Sequence, residues 1–196
     1  HASIFAAAPG VYRQVLKYPM PKLPQLRHGL AAGEKLSSTV RDTWRNQTGG
    51  EIFEAYGMSE CSTFISSSPA SPSDDGALGR PQIGRRVAIL DDSGAAVPFG
   101  TDGVIAIDRN DPGLMLEYIG APEATAEKFI GDWFITGDRA MMDASGQITY
   151  LGRRDDMMNA GGYRVSPLEV EAALAGLPGV TELAVTDIAI KADVRL

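Results

Sequence analysis

The sequence predicts a mixed α/β fold: a stretch with βαβ order, then a small β-rich, barrel-like subdomain, then the opening of an α+β unit. Three observations predict it. Helix and strand signals alternate over the first third, short β-rich runs between Asp/Ser/Gly turns fill the middle, and a well-marked helix start follows a glycine-rich stretch near the end. The expected boundaries are 1–78, 79–153 and 154–196. A length of 196 residues suffices for one domain, or one and a part, with a real core.

Each element has its own signal. Val11, Val15 and Leu16 recur at helical spacing behind the Pro9-Gly10 break and predict a helix, which Pro19, Pro21 and Pro24 forbid from continuing. LRHGLAAG is short, apolar and ends in glycine, as a buried strand does. Ser37 or Ser38 then caps a helix with Val40 and Trp44 one turn apart, and Gly49-Gly50 ends it. EIFEAYG returns as a strand, so the order is βαβ, the expected pairing is parallel, and chemistry belongs at the strand ends.

From Ser66 to Asp75 a Ser/Pro/Asp-rich run predicts an exposed loop and a change of subdomain. RRVAIL, GVIAI, DWFIT and QITYL follow, separated by DDSG, FGTDG and DASG turns, as strands of an antiparallel sheet or barrel. One short helix interrupts them over residues 121–129, where Pro122 suits a first turn. GRRDDMMNAGGYRV reads as a linker or functional loop. Ser166-Pro167-Leu168-Glu169 reads as a capping box that opens a helix, and ELAVTDIAIK as a strand. One helix and one or two strands do not close a core alone, so a piece of a longer chain is expected.

Composition excludes several classes. With 18 basic and 25 acidic side chains the net charge is −7, and no segment offers the dense Lys/Arg stripe that a polyphosphate backbone needs, so nucleic acid is not an expected partner. No apolar run approaches the roughly 18–20 residues that span a bilayer, and HASIFAAAPG lacks a basic signal region; a cytoplasmic protein without a membrane span is expected. Cys61 is the only cysteine, so neither a disulfide nor a cysteine-rich zinc site holds the fold. His1 and His28 are the only histidines and neither is placed to activate Cys61, which is expected to be an inert thiol, buried or half-buried.

Four local groups carry candidate chemistry. In Tyr56-Gly57-Met58-Ser59-Glu60, glycine permits a sharp turn after a strand, Ser59 can donate to a phosphate oxygen, and Glu60 can ligate Mg²⁺. A plain polar turn is the competing reading. In Thr136-Gly137-Asp138 an acid at a strand end can accept from the vicinal hydroxyls of a ribose, whereas a turn aspartate is the ordinary alternative. Arg153 and Arg164 flank Asp155-Asp156 and Gly161-Gly162, and paired guanidinium groups can hold a phosphate or carboxylate, or simply form surface ion pairs. Ala31-Ala32-Gly33-Glu34 offers small residues against which a flat ring can lie, or ordinary close packing.

In order and spacing these groups resemble the adenylate-forming superfamily of acyl-CoA synthetases, luciferases and peptide-synthetase adenylation domains. LAAGE resembles its adenine-side loop, YGMSE its YG-M-T/S-E motif, WFITGD its TGD motif, and GRRDDMMNAGGYRVSPLEVEAAL its hinge motif. The style of these stretches is most similar to bacterial acyl- or aryl-CoA ligases. The resemblance implies the end of a large α/β domain, a β-rich subdomain and the start of a small C-terminal domain. It implies ATP or AMP, Mg²⁺ and coenzyme A as cofactors and a small carboxylic acid as substrate, converted through an acyl-adenylate to a CoA thioester.

Residue by residue, the resemblance implies that Gly33, Glu34 and Tyr56 border the adenine, with Gly57 in the turn behind, and that Ser59 meets the α-phosphate. Glu60 would bind Mg²⁺, Asp138 and Arg153 the ribose. Asp155 falls on the hinge, while Arg164 would meet phosphate and Gly162 line the pantetheine tunnel after domain rotation. Residues 61–64 are expected to border part of the acid pocket. Ser59 replaces the commoner threonine and Asn159 a common lysine. The family's phosphate loop and C-terminal lysine motif fall outside these residues, so the piece alone is expected to be inactive. A non-catalytic nucleotide- or partner-binding remnant and a peptide-synthetase-type adenylation domain are the alternatives.

Overall fold

The computed structural model describes residues 2–160, 163–174, 176–180, 183–190 and 193–195. Its first sheet has the order β1 (Ile4–Ala7), β2 (His28–Ala32), β3 (Ile52–Met58), β4 (Ser62–Ser66) and β5 (Arg80–Pro81). β1, β2 and β3 run parallel, and β4 and β5 are antiparallel. Two helices supply the crossovers: α1 (Pro9–Val15) between β1 and β2, and α2 (Ser38–Thr48) between β2 and β3.

The local chemistry explains each helix. Pro9 opens α1, as a proline at a first-turn position can. Ser37 caps α2 by accepting from the Val40 N–H at 3.3 Å, and Gly49 ends it in the left-handed conformation at φ 79°. Val40, Trp44 and Thr48 form its buried face. There Trp44 stacks on Phe5 at 5.9 Å and meets Tyr12 edge-on at 4.9 Å, while the Tyr12 hydroxyl donates to Phe5 O (2.8 Å) and Leu30 O (3.1 Å).

The second sheet has the order β10 (Ile148–Arg153), β9 (Trp133–Met142), β7 (Asp102–Asp108), β6 (Val87–Leu90), all antiparallel, with β8 (Phe129–Ile130) also on β9 and α3 (Pro122–Ala126) leading into it. The two Asp-x-Ser-Gly turns share one device. Asp91 Oδ1 accepts from Ser93 and Ala95 N–H, and Asp143 Oδ1 from Ser145 and Gln147 N–H, at 2.8–3.0 Å. One core joins the sheets: Cys61, Phe64 and Ile65 from the first pack with Ile105, Ile107, Phe134 and Ile148 from the second. The chain ends in the hairpins β11 (Met158–Ala160) with β12 (Tyr163–Val165) and β13 (Ile188–Ile190) with β14 (Asp193–Arg195), separated by α4 (Pro167–Leu174).

Two local expectations are corrected and one strand is added. Ile4–Ala7, not assigned from sequence, is a strand because parallel pairing with β2 satisfies its backbone. The run from Ser66 is not wholly an exposed loop: Ser67 is buried, its hydroxyl accepting from the Glu54 N–H at 2.9 Å. The GRRDDMMNAGGYRV stretch, expected as a linker or functional loop, carries strand pairing at its distal end, where Met158–Ala160 pairs antiparallel with Tyr163–Val165. The Ser166 cap does form, accepting from the Glu169 N–H at 3.4 Å while donating to Leu151 O at 2.6 Å.

Trp44 is 1% exposed at the centre of the first core. Trp44→Ala is expected to cost about 3–5 kcal/mol of stability, read from the shift of the denaturant midpoint.

Candidate active site

The site is built where the two sheets meet. The parallel register pairs Ala32 with Ala55, so Gly33 and Glu34 leave β2 at the level of Tyr56 on β3. Gly33 holds φ +93°, and nothing lies within 4 Å of where its Cβ would be, which leaves open backbone. Glu34 is half-exposed and accepts from Arg13 Nη2 at 3.2 Å. Glu54, buried two residues before Tyr56, fixes the segment that follows Glu34. It accepts from the Leu36 N–H at 3.2 Å and from Arg41 Nη2 at 2.5 Å, and burial pushes its carboxyl above the usual range.

Beyond Tyr56 the chain turns sharply through Ser59, Glu60 and Cys61. Gly57 is required there, because an added Cβ would lie 2.2 Å from Ser62 O and 2.6 Å from Thr63 Cα. Ser62 takes a left-handed φ of 58°, a conformation that costs of order 1–3 kcal/mol and clusters at functional sites. The turn leaves Ser59 exposed and Glu60 half-buried. Glu60 Oε1 accepts from the Tyr118 hydroxyl at 2.7 Å, and this hydrogen bond, with burial behind it, pushes the phenol up to about 12.

From β9 comes Asp138, whose side chain is 8% exposed. The Tyr56 hydroxyl donates to its Oδ2 and the Tyr150 hydroxyl to its Oδ1 at 3.4 Å. Burial, then the Asp138 charge, pushes both phenols up, so both remain donors at neutral pH. The antiparallel register sets Arg153 opposite Asp138, with Nη1 3.7 Å from Oδ1, and Arg153 Nη2 lies 3.9 Å from Asp155. Asp155 is exposed in the turn after β10. A cleft of about 580 Å³ opens beside it, lined by Lys35, Tyr150, Arg153, Asp155, Leu168 and Glu171 among others.

The structure thus joins Tyr56, Asp138 and Arg153 directly and seats Gly33 and Glu34 at the same strand ends. The backbone of Arg164 pairs with Asn159 in the distal hairpin, and Gly162 lies outside the described residues. Of the stretch expected to border the acid, Cys61 and Phe64 are fully buried in the inter-sheet core, and only Ser62 and Thr63 have any exposure. Sequence reasoning missed Glu54, Tyr118 and Tyr150. Tyr150 was the accessible one: counting outward from the DASG turn places it near Asp138 on the paired strand.

These features define a mixed α/β protein in which two sheets meet around a buried carboxylate. Residues 1–119 match the family model of the AMP-binding enzymes, and the chain belongs to that family. It is 45% identical over 168 residues to the mitochondrial acyl-coenzyme A synthetase ACSM5 of Rattus norvegicus, covering 84% of this chain and 29% of that protein. It is 41% identical over 185 residues to the mitochondrial acyl-coenzyme A synthetase ACSM1 of Mus musculus, covering 91% and 32%. Among solved structures, ATP-bound MatB from Rhodopseudomonas palustris superposes with a TM-score of 0.90 at 29% identity, over 96% of this chain and 38% of that one. The anthranilate CoA ligase AuaEII in complex with anthranoyl-AMP gives 0.84 at 34%, over 95% and 36%. The chain therefore spans about a third of the length of these relatives.

Cys61 is wholly buried, and burial pushes its thiol up to about 12. At pH 8 about one thiol in ten thousand is ionised at such a value, so the native protein is expected to resist iodoacetamide. Mass spectrometry is expected to find Cys61 alkylated only when denaturant is present.

Proposed function

We propose that this chain forms the adenosine-binding part of an ATP-dependent carboxylate–CoA ligase. The observation that carries the reading is the triad of Tyr56, Asp138 and Arg153 at the seam of the two sheets. An ionised carboxylate has about four acceptor positions. Two are taken by Tyr56 and Tyr150, which leaves two for the vicinal hydroxyls of a ribose. Open backbone at Gly33, level in register with Tyr56, suits a flat base, and the exposed Ser59 hydroxyl suits a phosphate oxygen.

In this reaction the substrate carboxylate attacks the α-phosphorus of ATP and pyrophosphate leaves; the CoA thiol then displaces AMP from the acyl-adenylate. Ser59, Glu60 and Arg164 would act on the phosphate, and Gly162 would line the path of the pantetheine. Mg²⁺ would offset charge on the phosphate oxygens. Among the described residues no three His, Cys, Asp or Glu side chains converge on one point, so Glu60 would hold the ion together with ATP oxygens rather than in a protein cage. Asp155 would be the pivot about which residues 154–196 rotate, with 1–78 and 79–153 as the fixed parts. The cytoplasmic location belongs to the same proposal; no helix among the described residues is long and apolar enough to cross a membrane.

The test is carboxylate-dependent ATP–pyrophosphate exchange by the full-length protein carrying this chain. Glu60→Gln and Asp138→Ala are each expected to lower exchange by about 10²-fold or more. Exchange at the wild-type rate in either variant overturns the assignment.

A further inference from the structure

Glu60 stands on a tight turn, where a long carboxylate side chain samples several rotamers unless something holds it. The holding segment comes from the other sheet, in the connection between β7 and α3. The Met115 N–H donates to Glu60 O at 2.5 Å, and the Tyr118 hydroxyl donates to Glu60 Oε1 at 2.7 Å. Tyr118 is itself fixed from α3: its N–H donates to Thr125 Oγ1 at 2.9 Å, and that hydroxyl donates to Ala121 O at 3.0 Å. The near end of the connection is tied by Asp111, which pairs with Arg85 and accepts from the Gly113 N–H at 2.8 Å, while Arg85 Nη2 donates to Thr63 O at 3.1 Å. Tyr118 is half-buried between Leu116 and Ile119, which are 96% and 98% exposed, while Leu114 and Met115 of the same connection pack against the inter-sheet core. Packing of the connection and these polar contacts together place its hydroxyl at Glu60.

We propose that Tyr118 is a positioning residue for the nucleotide site: its hydroxyl occupies one oxygen of Glu60 and thereby aims the other at the metal–phosphate group. This rests on the ligase reading above. Tyr118 touches neither substrate nor ion; it removes rotamers from the side chain that does. Thr125 acts one step further back, through the Tyr118 backbone.

Two measurements on the full-length protein test this. The first is a double-mutant cycle of Tyr118→Phe and Glu60→Gln in thermal unfolding, without ATP or Mg²⁺, where the two substitutions are expected to be non-additive. The second is ATP binding by calorimetry across a Mg²⁺ titration, alongside exchange kinetics. Tyr118→Phe is expected to raise the Mg²⁺ needed for half-maximal binding by about fivefold to tenfold. At saturating Mg²⁺ it should leave the KM for the carboxylate unchanged. Thr125→Val, which keeps the phenol, is expected to shift the Mg²⁺ requirement in the same direction by less. Additive unfolding effects, or an unchanged Mg²⁺ requirement in an exchange-competent protein, overturn the positioning role and leave the ligase reading standing. A wild-type protein that neither binds ATP in a Mg²⁺-dependent way nor catalyses exchange overturns both.

Discussion

The hydrogen bond from Tyr56 to Asp138 joins two residues 82 positions apart, one from each sheet, and the rest of the site is arranged around it. A carboxylate that is 8% exposed needs hydrogen-bond partners in place of water, and here two phenols donate to it while the Arg153 guanidinium lies 3.7 Å away. The inter-sheet core behind it, with Phe64 edge-on to Tyr56 at 5.2 Å, keeps the two strands at the distance this bond requires. Loosening that core would separate the strand ends that carry Gly33 and Tyr56 from Asp138. Stability and site geometry therefore share one set of contacts.

Much of this was legible locally. The βαβ order, the Ser37 cap, the Gly49 stop, the Asp-x-Ser-Gly turns and the antiparallel middle all follow from short-range chemistry, and the structure has them. What was not legible depends on partners distant in sequence. Ile-Phe-Ala-Ala has no strand signal of its own, and becomes β1 only because β2 offers a parallel edge. Ser67 sits in a run with loop composition, yet the buried Glu54 N–H needs an acceptor and takes it.

The candidate site divides along the same line. Tyr56, Ser59, Glu60, Asp138 and Arg153 stood out because each lies in a short patterned stretch. Tyr118 did not, since nothing in EYIGAPEAT points to a turn 58 residues earlier. Arg153 and Asp138 could be paired by counting from the DASG turn, but a bulge between Tyr150 and Gly152 shifts the register by one, so the count alone places Arg153 opposite Gly137. Side chains that hold other side chains are the class that sequence patterns reveal least.

Charge sets the last constraint. A nucleoside triphosphate is strongly anionic, whereas the residues gathered at this site include Glu60, Asp138 and Asp155 against Arg153 and Lys35, in a chain of net charge −7. On the ligase reading such a surface would meet the base and sugar through acceptors and stacking, and would need further positive charge to neutralise a polyphosphate. On the ligase reading the further positive charge would come from the metal ion at Glu60 and from Arg164, which that reading sets on the phosphate. Recognition of the adenosine and neutralisation of the phosphate are then separate tasks. On that reading the segment around Tyr118 would link them, because its contact with Glu60 would set where metal-bound phosphates sit relative to the adenosine.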